Sequence, residues 1–91
     1  MIRLCFYDYG NYDLDVEKEL MIDMDVIDFI TDQIQNITFE GTDNEADLED
    51  NSIYYFKGNN ENETVCLLDK LISSKIRKES KMKYKIEIDE M

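Results

Sequence analysis

Carboxylates are the side chains in this sequence with chemistry to offer. Asp13, Asp15, Glu17 and Glu19 fall on every second residue, and Asp43, Glu45, Asp47 and Glu49 do the same, with Asp50 adjoining. Asp23 and Asp25 form a third, Asp-x-Asp group. Such sets can move protons, if a pocket drives two pKa values apart, or hold a divalent cation, or simply present negative charge. The first use lacks partners. The chain has no His, so nothing unperturbed titrates near neutral pH and no Ser-His or Cys-His pair exists. Its three glycines, Gly10, Gly41 and Gly58, are scattered and build no phosphate loop. The second use fails on spacing. A twelve-residue calcium loop needs Gly sixth and Glu twelfth; starting at Asp43 gives Leu48 and Tyr54, and at Asp13 gives Lys18 and Met24. The expectation is therefore not an enzyme, with no catalytic residues, no metal and no cofactor.

One stretch tests that view. "ELMIDMDVID", residues 19–28, resembles the opening of haloacid-dehalogenase-type phosphatases, which would make Asp23 and Asp25 nucleophile and acid/base on a shared Mg²⁺. The resemblance covers about ten residues, and the remainder of that machinery does not fit in 91 residues. Two aspartates capping a helix explain the stretch better.

That leaves charge itself. Residues 1–69 carry 18 of the 22 acids against Arg3, Lys18 and Lys57, a net of −15. Residues 70–91 carry seven bases against Glu79, Glu87, Asp89 and Glu90, a net of +3. So uneven a distribution makes a directional field that repels phosphates and attracts a basic partner. Direct nucleic-acid binding is not expected. If extended, the alternating acids stand about 6.6 Å apart on one side, and Asp25, Asp28 and Asp32 make a parallel row on a helix. A rigid lattice of this kind can stand in for a phosphate backbone in an Arg/Lys-lined groove, with Tyr9 and Tyr12 as apolar anchors. The expected partner-binding residues are Asp13, Asp15, Glu17, Glu19, Asp43, Glu45, Asp47, Glu49, Asp50, Tyr9 and Tyr12.

The elements that must hold these residues follow from periodicity. "IRLCFYD" reads as a strand with Ile2, Leu4 and Phe6 on one face and Arg3, Cys5 and Tyr7 on the other. "YGNYDLD" is a turn-rich loop, and "KELMID" fits either a short strand or a helix lead-in. Val26, Ile27, Ile30, Ile34 and Ile37 predict an amphipathic helix capped by Asp23 or Asp25. "NITFEG" is a strand closed by Gly41, residues 42–51 a loop or loose edge, and "NSIYYFKG" a strand closed by Gly58. Asn60 or Asn62 caps the clearest helix, whose stripe is Val65, Leu68, Leu71, Ile72 and Ile76. "KMKYKIEID" ends the chain as a strand. The order β(β)αββαβ predicts a single α+β domain spanning 1–91, a mostly antiparallel sheet with two helices packed on one face. No apolar run approaches the roughly 18 residues of a membrane span. The start lacks a leader's apolar core, so a cytoplasmic protein is expected. Cys5 and Cys66 are too few for a disulfide framework and read as buried free thiols.

Residues 40–75, "EGTDNEADLEDNSIYYFKGNNENETVCLLDKLISSK", are similar in layout to the middle of the anti-CRISPR inhibitors of Cas9 from phages. Gly41-Thr42-Asp43 matches their turn and Glu61-Asn62-Glu63-Thr64 their helix entry, while the basic C-terminal strand departs from their acidic pattern. The resemblance implies a viral protein acting in the host cytoplasm by occupying the site where a Cas nuclease reads DNA, with Asp43, Glu45, Asp47 and Glu49 as contacts. Two alternatives have related physics: an immunity protein or antitoxin that neutralises a basic nuclease, and a small structural or oligomerisation module using residues 70–85.

Overall fold

The computed structural model describes residues 1–8, 14–43 and 51–89. Its elements run β1 (Ile2–Tyr7), α1 (Val16–Glu19), α2 (Val26–Gln33), β2 (Ile37–Asp43), β3 (Asn51–Gly58), α3 (Glu61–Lys75) and β4 (Lys83–Ile88). The strands form one antiparallel sheet in the order β2-β3-β1-β4. Each βαβ passage skips over a strand that belongs to the other, so the two units interleave in the split-βαβ manner. The chain is the small α+β domain that its periodicity predicts.

The core lies on one side of the sheet. Ile2, Leu4 and Phe6 of β1 and Phe56 of β3 are fully buried against Val16, Leu20, Val26, Phe29, Ile30, Leu68, Ile72 and Met82. Both long helices thus cover a single face. Two edge-to-face pairs, Phe6 with Tyr54 at 6.0 Å and Phe39 with Phe56 at 5.6 Å, stitch that face together. Burying each large side chain there contributes about 1.5–3 kcal/mol.

The opposite face is less polar than alternation alone implies. Cys5 and Ile53 face each other across β1 and β3 and are 3% and 1% exposed, yet neither belongs to the helix-side cluster. Cys5 behaves as a small hydrophobe. Cys66, expected to be buried, is exposed. The buried stripe of α3 runs through Thr64, Leu68 and Ile72, and Cys66 lies about 200° around the helix from Thr64.

Local chemistry sets the other departures. "KELMID" is not a strand: its first two residues close the single turn of α1, ended by Met21 in the left-handed region at φ 54°, ahead of α2. Asn36, at φ 62°, ends the turn after α2, so Ile37 opens β2 instead of continuing the helix. Gly41 does not close β2. It sits at φ 146° beside a register shift between Phe39 and Gly41, a bulge that its missing Cβ permits. Gly58 allows a close approach, because a Cβ there would lie 2.7 Å from Thr64 Oγ1. Among the described residues, no helix is long and apolar enough to cross a membrane.

Candidate protein-docking surface

The acids of residues 14–32 are positioned by two helix starts. Asp15 caps α1, its Oδ1 accepting from the Lys18 N–H at 3.2 Å. Two carboxylates serve the start of α2: Asp25 Oδ1 accepts from the Ile27 N–H at 2.8 Å, and Glu17 Oε1 from the Val26 N–H at 3.3 Å. These bonds satisfy donors that a helix N-terminus leaves unpaired, and the dipole there favours negative charge. Val26, Phe29 and Ile30 then root α2 in the core. Asp28 and Asp32 consequently project from a fixed helix, with exposed Asp23 and Asp25 just before it.

The result is an anionic ridge. Asp25, Asp28 and Asp32 lie three and four residues apart, so the row spans roughly 10.5 Å at about 1.5 Å per residue. One DNA strand places about four phosphates over that length, against three carboxylates here. Lys18 is the sole base between residues 14 and 43. The field is registered by Tyr54. Its hydroxyl is pushed up to about 12, first by burial and then by the nearby negative charges of Glu17 and Asp25.

Glu19 does something different. Its carboxylate accepts from Arg77 Nε at 3.2 Å and from Arg77 Nη2 at 3.1 and 3.3 Å, and its carbonyl accepts from the Arg77 N–H at 2.8 Å. The Ser80 hydroxyl holds its pKa below the ordinary carboxylate range, with Arg77 adding to the effect against an opposing push from burial. Only 13% of the Glu19 side chain is exposed, so this acid is a structural link between α1 and the α3–β4 connection.

The expected contact residues therefore divide. Asp15 caps α1, Glu17 reaches the start of α2 but spends an oxygen on its cap, and Glu19 is neutralised by Arg77. Residues 15–19 are not an extended row, because α1 turns Glu17 and Glu19 to different sides. Asp43 ends β2. Tyr9, Tyr12, Asp13, Glu45, Asp47, Glu49 and Asp50 lie outside the described residues. Asp23, Asp25, Asp28 and Asp32 are exposed carboxylates at and before α2 that the expected contact set omitted, although the three- and four-residue spacing of Asp25, Asp28 and Asp32 marks their row in the sequence.

Asp25 acts as a cap, which accounts for its place in the Asp-x-Asp pair. Among the described residues, no three His, Cys, Asp or Glu side chains gather where a metal ion could be held. A shallow depression of about 600 Å³ between the end of α2 and α3 offers the Gln33, Gln35 and Asn36 amides with Glu63 and Lys70, not a nucleophile beside a base. The bases collect elsewhere. The strand order puts β2, with α2 against it, at one edge of the sheet, and β4, with α3 against it, at the other. Lys70, Lys75, Arg77, Lys78, Lys81, Lys83 and Lys85 follow α3 and β4, so charge is graded across the strands.

No protein-family model matches the chain, and neither a curated protein nor a solved structure was found to be similar to it.

Proposed function

We propose that the protein is a stoichiometric inhibitor that occupies the basic nucleic-acid-binding groove of a host defence protein, in the manner of anti-CRISPR proteins. One observation carries the reading: exposed Asp25, Asp28 and Asp32 stand in a row on a helix rooted in the core, with exposed Asp23 just before it. A rigid anionic row loses little entropy on docking, and it takes Arg and Lys contacts that the groove would otherwise give to phosphates. No covalent chemistry is required, only competition. The identification of the target as a Cas nuclease rests on the layout resemblance of residues 40–75.

Affinity capture from a CRISPR-bearing bacterial lysate, read by mass spectrometry, tests the proposal. The expected catch is a basic nucleic-acid-binding protein that added DNA displaces. Reversal of the ridge in the triple variant D23K/D28K/D32K leaves the two caps intact and should lower capture and inhibition at least tenfold. A second variant, D43K/E45K/D47K, should weaken them further. Capture of an acidic partner, or capture indifferent to both variants, would falsify the reading.

A further inference from the structure

The free edge of β4 carries a pattern that reads the same from both ends. Among the described residues, β4 pairs with β1 alone. The Met1 nitrogen donates to the Asp89 carbonyl at 3.0 Å, and the Asp89 N–H donates to the Met1 carbonyl at 2.7 Å. Doubly bonded pairs alternate along an antiparallel ladder. With Ile2 opposite Ile88, the odd-numbered residues of β4 therefore point their backbone groups at β1. Tyr84, Ile86 and Ile88 point theirs at the open edge.

We infer that this edge pairs antiparallel with the β4 edge of a second copy, about a twofold axis through Ile86. Backbone parity permits that register, with Ile86 facing the partner's Ile86 and Tyr84 facing the partner's Ile88, for about six hydrogen bonds. Side chains select it. On the face away from the helices, Lys85 meets the partner's Glu87 and Lys83 meets the partner's Asp89, each pair occurring twice by symmetry. Lys85 and Glu87 form a non-hydrogen-bonded pair, the kind that brings side chains closest. Moving the axis by one residue keeps the parity but destroys the match. Centring on Lys85 sets Lys85 against the partner's Lys85, and centring on Glu87 sets two glutamates together.

On the helix face, the partner's Tyr84 covers Ile88, which is 36% exposed in the single chain. Tyr84 is already held for this, its hydroxyl donating to Asp69 Oδ1 at 2.6 Å. The −12 net charge opposes association, but its densest described part, on α2, lies against the far edge. Three strand spacings, about 14 Å, separate β2 from β4, beyond the roughly 8 Å screening length at physiological salt. The paired molecule carries an acidic ridge at each end, which makes the inhibitor bivalent.

Sedimentation of the full chain over a range of concentrations tests the pairing. Wild type should pass from monomer to dimer as concentration rises. K85E and E87K each place like charges opposite one another at two symmetry-related positions, and each should weaken dimerisation at least tenfold. The double variant K85E/E87K restores opposite pairs and should recover the dimer. Both positions probed, Lys85 and Glu87, are exposed strand positions, so a thermal melt confirms that the variants fold. A wild type that stays monomeric at every concentration, a dimer untouched by the single variants, or a double variant no better than the singles overturns the inference.

Discussion

Glu19 shows how little a carboxylate's position in the sequence says about its work. It belongs to an alternating series with Asp15 and Glu17, but Ser80 and Arg77, about sixty residues away, claim it. Its pKa is lowered on folding, so its contribution to stability is complete above the ordinary carboxylate range and is lost as pH falls through the lowered value. E19Q should cost about 1–2 kcal/mol near neutral pH, consistent with a charge-assisted bidentate bond that is partly buried. Urea unfolding should show that deficit shrinking as pH falls below the ordinary carboxylate range and through the lowered value, where the wild-type carboxyl also becomes neutral. A constant deficit across that range would assign the effect to packing. The long-range partner is the reason the residue's role was not legible: nothing local in the sequence announces Arg77.

Elements were far more readable than partners. The stripe at Leu68 and Ile72, the Asn60 cap and the clean alternation of β4 each follow from spacing, because a helix or strand long enough to bury a face must repeat that face in its sequence. Short pieces were not readable in this way. One turn of α1 has no period to detect, and the bulge at Gly41 shows only as a glycine that looks like a strand end. Contacts between elements are similarly hidden, and the packing of β3 on α3 is a case. Gly58 touches Thr64, whose hydroxyl donates to the Asn60 carbonyl at 2.8 Å. G58A should destabilise by about 1–3 kcal/mol through overpacking. The double variant G58A/T64A removes the obstructing atoms and should be less destabilised than the sum of the two single variants predicts. Strict additivity in a double-mutant cycle would show that Gly58 is needed for backbone reasons alone.

At the scale of the whole molecule, charge is the ruling feature. A net −12 on a chain of 91 residues stores repulsion that added salt relieves. Thermal midpoints of dilute protein should therefore climb by about 5 °C from low to physiological salt. The D23K/D28K/D32K variant, whose net charge is half as large, should climb less. An equal climb would locate the strain outside the ridge. The candidate site was legible in outline only: composition announces an acidic surface, but which acids are free depends on the caps and ion pairs that folding assigns. The bulge at Glu40 and Gly41 has a consequence of its own at this scale. A kinked β2 is a poor template for another strand, whereas β4 is regular, so sheet growth has one door. Once two copies meet through it, both remaining edges are the kinked ones, and the assembly ends at a pair without running on into a fibre.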